Sequence, residues 1–249
     1  MILLGDCLER MKELESESVD CIIVDPPYGT TACEWDSVIP FESMWKELKR
    51  ISKIQTAICV FGSEPFSSKL RMSAIELFKY DWIWIKNKPT GHVHAKNRPM
   101  KKHEIVSVFS KGNTLHKGQS EKRMRYFPQG LLKLEKPIFH KGDHSSSVVM
   151  GKRPSHKDNI QEFTNYPSSV LFFDGVFRGD HPTQKPVELL EYLIKTYTQE
   201  GDTVLDFTMG SGSTGVAAFK SKRKFIGIEL NESYVEIARR RIAHAKEGA

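Results

Sequence analysis

The chain has 249 residues, with 37 Lys and Arg against 31 Asp and Glu and a formal net charge of +6 at pH 7. With 39% hydrophobic and 27% charged residues, it has the composition of a folded protein and not of a disordered one. It has no run of about 18 apolar residues that would span a membrane, and its four cysteines form no CxxC pair, which argues against a zinc or disulfide framework. The opening segment MILLGDCLERMKEL has no basic stretch before its first acidic residue, so we expect no signal peptide and a cytoplasmic protein.

Strand and helix patterns alternate over the segment 1–111. Val19–Val24 is a short apolar run, which is typical of a buried parallel strand. Between positions 41 and 52, apolar side chains recur every three or four positions and predict an amphipathic helix. The predicted elements, in chain order, are strand Val19–Val24, helix Phe41–Ser52, strand Thr56–Phe61, helix Pro65–Leu77, strand Trp82–Ile85 and strand Glu104–Phe109. This alternation indicates a doubly wound α/β sheet.

Residues 112–178 have weak periodicity, and we expect an irregular insert there. Much of the positive charge lies in and just before this segment. From Lys86 to Arg178 the chain holds 18 Lys and Arg and 7 Asp and Glu, a net charge of +11, which leaves −5 for the remainder. A basic insert on an acidic scaffold favours contact with a polyanion, above all nucleic acid, although a solvated basic surface would give the same counts.

Residues 179–249 return to α/β order. Their predicted elements are a helix from His181 through Ile194, strand Thr203–Asp206, helix Thr214–Lys220, strand Phe225–Ile228 and helix Tyr234–Ala245. We therefore expect one domain in two halves, a catalytic half at 1–111 and a cofactor-binding half at 179–249, with the insert 112–178 between them.

A glycine-rich turn follows the strand that ends at Asp206. Its sequence, GSGSTG at 210–215, matches GxGxxG, and Glu229 stands at the end of the next predicted strand, where a carboxylate can bind ribose hydroxyls. Only the segment 230–249 follows Glu229, which disfavours a dinucleotide fold, and the turn lacks the GK[ST] of a phosphate-binding loop. A ribose-containing cofactor of another kind fits best, and a glycine turn without a ligand stays open.

The tetrapeptide Asp25-Pro26-Pro27-Tyr28 lies where the first predicted strand ends. An exocyclic amino group on a base is a poor nucleophile because its lone pair is delocalised, so it needs acceptors for both of its hydrogens. The Asp25 carboxylate and the Pro26 carbonyl would supply them, and Tyr28 would supply a flat face for an extruded base. A tight turn with a packed tyrosine is the alternative.

Together these features resemble the DNA amino-methyltransferases in which the catalytic motif precedes the cofactor motif. DPPY at 25–28 is similar to the catalytic motif, DFTMGSGSTG at 206–215 to the S-adenosylmethionine loop and IEL at 228–230 to the ribose-binding strand end. HPTQKP at 181–186 and GDCLE at 5–9 resemble two further cofactor segments. The resemblance implies a Rossmann-like, mostly parallel sheet of seven strands with one reversed strand and a circularly permuted motif order. It also implies S-adenosylmethionine as cofactor, double-stranded DNA as partner and target recognition by the basic insert.

The resemblance also assigns roles to individual residues. The catalytic set that it implies is Asp25, Pro26, Pro27 and Tyr28. The cofactor-binding set is Asp6, Cys7, Asp25, Thr183, Lys185, Asp206, Phe207, Gly210, Ser211, Gly212 and Glu229. In one departure, the chain reads Asp206-Phe207-Thr208 where the family usually has DPF, so the packing of this loop is an open question.

The basic side chains are candidates for contacts with DNA phosphates and base edges. They are Lys96, Arg98, Lys101, Lys102, Lys122, Arg123, Arg125, Lys152 and Arg153. His92 and His94 alternate but have no second cluster at ligand spacing, so we expect no metal site. His181 is interpreted as a packing residue at a helix start.

We expect methylation of adenine at N6, with N4 of cytosine as the alternative and a catalytically silent DNA-binding protein as the second. Cytosine C5 methylation is disfavoured because no cysteine follows a proline. Protein-glutamine and RNA methyltransferases with a related tetrapeptide normally carry the glycine motif first. The chain would be bacterial or phage-encoded, and a homodimer and a cognate restriction endonuclease are further expectations.

Overall fold

The structure is a computed structural model, and it describes residues 1–29, 37–114, 120–142, 158–176 and 184–247. The chain divides into two compact units: Met1–Phe127 with Ser169–Ala249 forms the larger one, and Pro128–Ser168 forms the smaller one. The smaller unit is narrower than the insert 112–178, because Met124 is buried in the core of the larger unit and a short strand after residue 169 joins the larger unit's sheet.

The strands of the described residues fall into two sheets. In chain order they are β1 (Ile2–Leu4), β2 (Val19–Val24), β3 (Ser52–Gly62), β4 (Phe78–Thr90), β5 (Lys101–Phe109), β6 (Leu132–His140), β7 (Asn159–Thr164), β8 (Val170–Phe172), β9 (Thr203–Asp206) and β10 (Lys224–Glu229). The larger sheet has the order β1-β10-β9-β2-β3-β5-β4-β8, and β6 pairs with β7.

The larger sheet is mostly parallel. Strand β5 runs antiparallel to both of its neighbours, and the other neighbouring pairs are parallel. The expected parallel sheet with one reversed strand is therefore confirmed. Its strand number in the described part of the chain is eight and not seven, because the short strand β8 pairs beside β4. So short a strand leaves no periodic pattern by which to predict it.

The helices of the described residues flank the larger sheet. They are α1 (Cys7–Lys12), α2 (Phe41–Ile51), α3 (Phe66–Ser73), α4 (Val187–Tyr197), α5 (Ser213–Lys220) and α6 (Glu232–Glu247). Helix α4 begins later than the expected start at His181. Pro186 adopts an extended backbone before it, with ψ 133°, and a residue that precedes a proline, here Lys185, is disfavoured in the helical region. Helix α3 ends before the expected Leu77, because Ala74 leaves the helical region at φ −153°.

Strand β2 contributes side chains to both hydrophobic cores, one on each face of the sheet. All six of its residues are buried, and successive side chains of a strand point to opposite faces of the sheet. Cys21 and Ile23 belong to the core that α4, α5 and α6 cover, and Ile22 and Val24 belong to the core that α1, α2 and α3 cover. Burial on both faces explains why this strand is a continuous apolar run in the sequence.

The smaller unit contains the antiparallel pair β6 and β7. The expectation of an irregular insert was wrong for these residues. Most of their side chains are exposed, including Phe139 and Ile160, so the two strands have no buried face to impose an alternating pattern. Asn165, with a left-handed φ of 60°, closes the unit by donating its side-chain amide to the Gly130 carbonyl over 2.7 Å.

Candidate active site

The carboxyl ends of three adjacent strands open into one cavity of about 920 Å³. Asp25 follows β2, Asp206 ends β9 and Glu229 ends β10. Ligands of open α/β sheets bind at such ends, and the volume lies in the range of small-molecule sites. The predicted site residues that line the cavity are Asp6, Cys7, Asp25, Pro26, Pro27, Tyr28, Lys185, Asp206, Phe207, Gly210, Ser211 and Glu229. The structure thus brings together segments from both halves of the chain that are far apart in sequence.

The Asp25 carboxylate is held on both of its oxygens. The Tyr28 hydroxyl donates to Oδ1, and the Lys185 ammonium donates to Oδ2. The Tyr28 ring is stacked on Phe66, with 5.0 Å between the ring centroids and 28° between the planes. Asp25 and Tyr28 are only partly buried, so an acceptor and an aromatic ring stand side by side at the edge of the cavity.

The glycine turn orients the Glu229 carboxylate. The backbone N–H of Gly210 donates to Glu229 Oε2 over 2.9 Å, and that of Asn231 donates to Oε1 over 2.9 Å. Gly210 has φ 49° and Gly212 has φ 79°, a conformation that L side chains rarely adopt. Gly212 is not among the cavity-lining residues, in contrast to its expected role: a Cβ there would lie 2.7 Å from that of Ala238, so this glycine lets the turn pack against α6.

Ser211 is fixed by a side chain that the sequence did not single out. Arg241 of α6 donates to the Ser211 carbonyl over 2.7 Å and to its hydroxyl over 2.8 Å. The Ser211 hydroxyl in turn donates to Gln184 Oε1 over 3.3 Å. These bonds join the glycine turn to the final helix and to the segment before α4. A basic residue late in a predicted amphipathic helix carries no sequence signal for such a role.

Asp206 is buried beneath the turn. Burial raises its pKa to about 7, although hydrogen bonds from the Thr214 hydroxyl (2.6 Å) and the Thr208 backbone N–H (3.2 Å) oppose this shift. A carboxyl group whose pKa is this close to neutrality changes charge readily when a cation binds nearby. Asp206 is therefore suited to contact a positively charged part of a cofactor.

The loop Asp206-Phe207-Thr208, which differs from the family's usual DPF, is well packed. Phe207 is buried in the core on the face of α1, α2 and α3 while also lining the cavity. The Thr208 hydroxyl donates to the Asp25 backbone carbonyl over 3.1 Å. A phenylalanine at position 208 could not make this hydrogen bond, so the departure links the glycine loop to the DPPY segment.

Asp6 and Cys7 line the cavity from the start of α1. Asp6 caps this helix, because its Oδ1 accepts the backbone N–H groups of Leu8 and Glu9. Burial, assisted by Asp6, raises the pKa of Cys7 to about 11, so its thiol stays neutral. The Gly5 backbone N–H donates to the Glu229 carbonyl over 2.9 Å, which ties this segment to the ribose-binding candidate.

Two charged residues that sequence reasoning missed complete the cavity wall. Glu104 of β5 lies 3.4 Å from the Lys185 ammonium through Oε2 and 3.0 Å from the Lys86 ammonium through Oε1. Burial alone would raise the pKa of Glu104, but the two ammonium groups lower it. Burial alone would lower the pKa of Lys185, but the carboxylates of Asp25 and Glu104 outweigh it and raise that pKa. Glu104 and Lys185 therefore both stay charged at neutral pH.

The candidate DNA-contacting residues separate into exposed and scaffold groups. Lys96, Arg98, Lys101 and Lys102 are exposed around the turn between β4 and β5, which begins next to the cavity-lining Thr90. The exposed side chain of Lys122 and the partly buried one of Arg123 lie between β5 and β6.

Arg125 is paired with acidic side chains of the scaffold. Its guanidinium lies 2.7 Å from Asp202 and 3.5 Å from Asp20, and its side chain is partly buried, so its contact with DNA stays a prediction. Thr183, Lys152 and Arg153 lie outside the described residues. Within the described ranges no group of three metal-ligating side chains occurs, and no helix is long and apolar enough to cross a membrane.

The chain is similar to known DNA methyltransferases. The sequence model of the family described as DNA methylase matches residues 19–240. The Type II methyltransferase M.HpaI of Haemophilus parainfluenzae is 27% identical over 97% of this chain and 73% of its own length. The DNA adenine methyltransferase YhdJ of Escherichia coli (strain K12) is 28% identical over 97% of this chain and 82% of its own length.

Two solved structures share the fold. The M1.HpyAVI–SAM complex superposes with a TM-score of 0.60 at 24% identity, covering 97% of this chain and 98% of that one. The cytosine-N4-specific PvuII DNA methyltransferase superposes with a TM-score of 0.65 at 18% identity, covering 99% and 90%. The family match spans most of the sequence, including the DPPY segment, the glycine turn and Glu229. This chain belongs to the N6-adenine and N4-cytosine family of DNA methylases.

Proposed function

We propose that the chain is a site-specific methyltransferase that modifies the N6 amino group of an adenine flipped out of double-stranded DNA, with S-adenosylmethionine as methyl donor. The observation that carries the proposal is the meeting of the DPPY segment and the glycine turn in one cavity, joined by the hydrogen bond from Thr208 to Asp25. Among its relatives, YhdJ is named as a DNA adenine methyltransferase, and the matched structure of M1.HpyAVI contains S-adenosylmethionine.

The cavity has the groups that such a methyl donor requires. The turn at Gly210 allows close approach of a ligand to the backbone, and the Glu229 carboxylate stands beside it as an acceptor for ribose hydroxyls. Asp206 and Asp25 supply negative charge near a ligand that carries a sulfonium and an ammonium. When bound, S-adenosylmethionine supplies an electrophilic methyl group on its sulfonium sulfur.

Asp25 and Pro26 prepare the amino group of the base. Asp25 Oδ1 and the Pro26 carbonyl would accept its two hydrogens, drawing electron density toward the nitrogen and turning its lone pair out of the plane of the ring. As the nitrogen becomes methylated it must release one proton. The Asp25 carboxylate, which lies next to the nitrogen, would accept this proton. The ammonium of Lys185 donates to the other oxygen of that carboxylate, Oδ2.

Tyr28 would hold the extruded base. Its ring lines the cavity and is braced by Phe66 at 5.0 Å, and base–aromatic stacking contributes about 1–3 kcal/mol per base. The Tyr28 hydroxyl occupies Asp25 Oδ1 in this structure. A carboxylate oxygen has two lone pairs, so Oδ1 can accept from a target amino group beside this hydroxyl.

The surface around the turn between β4 and β5 would bind the DNA backbone. The stretch 86–103 contains six Lys and Arg and no Asp or Glu, and it includes both the cavity-lining Lys86 and the exposed Lys96 and Arg98. Phosphate contacts position a duplex without reading its sequence. Recognition of the target sequence we assign to the segment 112–178, whose hairpin β6–β7 carries exposed aromatic and basic side chains.

Methylation of N4 of cytosine is the second candidate, since the PvuII enzyme with the same fold is cytosine-N4-specific and the chemistry of the two amino groups is alike. A DNA-binding protein without catalysis is the third. The Type II relatives favour action in a bacterial cytoplasm beside a cognate restriction endonuclease. That setting, a phage origin and a homodimer stay predictions.

Product identification tests the proposal. The purified protein is incubated with unmethylated DNA and isotopically labelled S-adenosylmethionine, and the DNA is digested to nucleosides for mass spectrometry. The expected product is labelled N6-methyladenine, absent when the methyl donor is omitted. Labelled N4-methylcytosine alone would replace the adenine assignment by the second candidate, and unlabelled DNA despite measured cofactor binding would favour the third.

A further inference from the structure

We propose that Lys185 is a positioning residue for methyl transfer: its ammonium binds Asp25 Oδ2, fixes the rotation of the carboxylate and leaves Oδ1 as the oxygen that receives the target amino group. The inference rests on the proposed function and extends it to a residue outside the DPPY segment. The family resemblance implied a different role for Lys185, next to the cofactor carboxylate.

Lys185 reaches Asp25 from an anchored backbone. It lies just before Pro186 and α4, and only 9% of its surface is exposed. The first turns of α4 are fixed by Leu189 and Leu190, both buried in the core. The ammonium also stands over the ring of Phe61, at 5.2 Å from its centroid. A side chain held in this way presents its charge to Asp25 from a constant direction.

The charges around Asp25 form a row of alternating sign. Asp25 contacts Lys185, Lys185 contacts Glu104, and Glu104 contacts Lys86. The buried row therefore has no net charge, which limits the cost of burying its members. The Lys185 ammonium is thus shared between two carboxylates, those of Asp25 and Glu104.

The remaining groups that face Asp25 make the cation necessary. Tyr28 donates to Oδ1 from the same segment, and Thr208 donates to the backbone carbonyl from the loop after β9. Asp206, at the end of β9, is close enough for the Asp25 charge to raise its pKa. The Lys185 ammonium offsets the negative charge that Asp25 and Asp206 bring together. Without Lys185, Asp25 Oδ2 would lose this donor, and the carboxylate would be free to rotate.

The test measures the rate of a single round of methylation, at saturating S-adenosylmethionine and DNA, for Lys185→Met and Lys185→Arg, with Lys195→Met as the matched control. Lys195 lies on the same α4 and pairs with Glu191, but it is not among the cavity-lining residues. Binding of S-adenosylmethionine is measured in parallel, because it reports an intact fold.

For Lys185→Met we expect the rate at pH 7.5 to fall about 100-fold, as for a misplaced catalytic group. Lys185→Arg should recover most of the lost rate, because a guanidinium can also donate to Asp25 Oδ2. Lys195→Met should match the parent protein. The affinity for S-adenosylmethionine should change less than about threefold, which corresponds to less than about 0.7 kcal/mol of binding free energy.

An unchanged rate in Lys185→Met, no recovery in Lys185→Arg, or a loss confined to the affinity for S-adenosylmethionine would overturn the inference. Should Lys185→Met fail to fold, the double variant Lys185→Met/Glu104→Gln removes one charge of each sign and must show the same loss of rate. A parent protein that methylates no nucleoside in DNA overturns the proposed function, and the inference with it. An active parent whose Lys185 variants keep its rate overturns the inference alone.

Discussion

The Thr208 hydroxyl donates a hydrogen bond to the backbone carbonyl of Asp25 over 3.1 Å. This bond joins the loop after β9 to the segment after β2, two neighbouring strands of the sheet. The carboxylate that would receive the target amino group and the turn that would hold the methyl donor are thereby fixed to each other. Methyl transfer demands such a fixed relation because both reactants must meet in one geometry.

Replacing Thr208 by valine should slow methylation while leaving the fold intact. The variant keeps the shape of the side chain but removes a donor from a partly buried carbonyl, a loss of about 1 kcal/mol. We expect the methylation rate to fall several-fold and the midpoint of urea unfolding to shift only slightly. Thr203→Val, at the other end of β9, is the control. A rate equal to that of the control would contradict a role for this hydrogen bond.

Binding of S-adenosylmethionine should weaken in acid because of Asp206. Its pKa of about 7 in the folded protein means that it is largely protonated below neutrality, whereas the cationic methyl donor favours the carboxylate. The dissociation constant should therefore rise by up to about tenfold per pH unit below 7. Calorimetric titration between pH 5.5 and 8 measures this, and Asp206→Asn should bind with a flatter pH profile. A flat profile for the parent protein would contradict the prediction.

The same group should contribute to the pH dependence of stability. The pKa of Asp206 is raised from 3.8 to about 7 on folding, so its protonated form favours the folded state. The stabilisation is complete below the unfolded pKa and is lost as pH rises through 7. In the absence of a ligand, Asp206→Asn should remove this part of the pH dependence of unfolding by urea. Parallel curves for the two proteins between pH 4 and 8 would argue against it.

Gly212 and Gly201 offer a matched pair of substitutions. Both have a left-handed backbone, with φ 79° and 85°, but a Cβ at Gly212 would press on Ala238 at 2.7 Å whereas one at Gly201 meets nothing within 4 Å. Gly201→Ala should cost about 1 kcal/mol from backbone strain. Gly212→Ala should cost a further 1–3 kcal/mol, roughly, from overpacking. Denaturant unfolding measures the difference, and equal losses would contradict the packing argument.

The basic turn between β4 and β5 should govern the salt dependence of DNA binding. Removing the charges of Lys96, Arg98 and Lys102 should weaken binding to any duplex, and the slope of log K against log salt should fall by about 0.9 for each phosphate that the protein no longer neutralises. Lys46→Ala/Lys69→Ala removes two exposed charges from α2 and α3 as the control. An unchanged slope would place the phosphate-binding side chains elsewhere.

Local sequence patterns were sufficient to predict strands β2, β3, β4, β5, β9 and β10, the glycine turn and the DPPY segment. Each depends on neighbouring residues: a continuous apolar run for β2, and fixed spacing for Gly210 and Glu229. The sequence shows that position 208 differs from the family pattern. It does not show that Thr208 bonds to Asp25, because Asp25 lies far away in the sequence. Contacts between segments that are distant in the chain appear only once the strand order is known.

The charged cavity wall could not be predicted for the same reason. Glu104 comes to Lys185 because β5 is reversed and lies next to β3; no spacing in the sequence expresses that placement. A positive charge in the sequence likewise does not report its partners: Arg125 pairs with Asp202 and lies near Asp20, and its contact with DNA stays a prediction. Charge counts indicate a polyanion partner for a region, whereas burial decides which residues are available to it.

The most direct test of the account compares Asp25→Asn with the parent protein and with Glu15→Gln. Glu15 is an exposed carboxylate before β2, at the end of the strand opposite the cavity. The assay is a single round of labelled methyl transfer to DNA, with the nucleoside identified by mass and cofactor binding measured on the same samples. We predict N6-methyladenine from the parent and from Glu15→Gln, and a rate lower by about 100-fold or more for Asp25→Asn when all three proteins are saturated with cofactor. Undiminished transfer by Asp25→Asn would contradict the account.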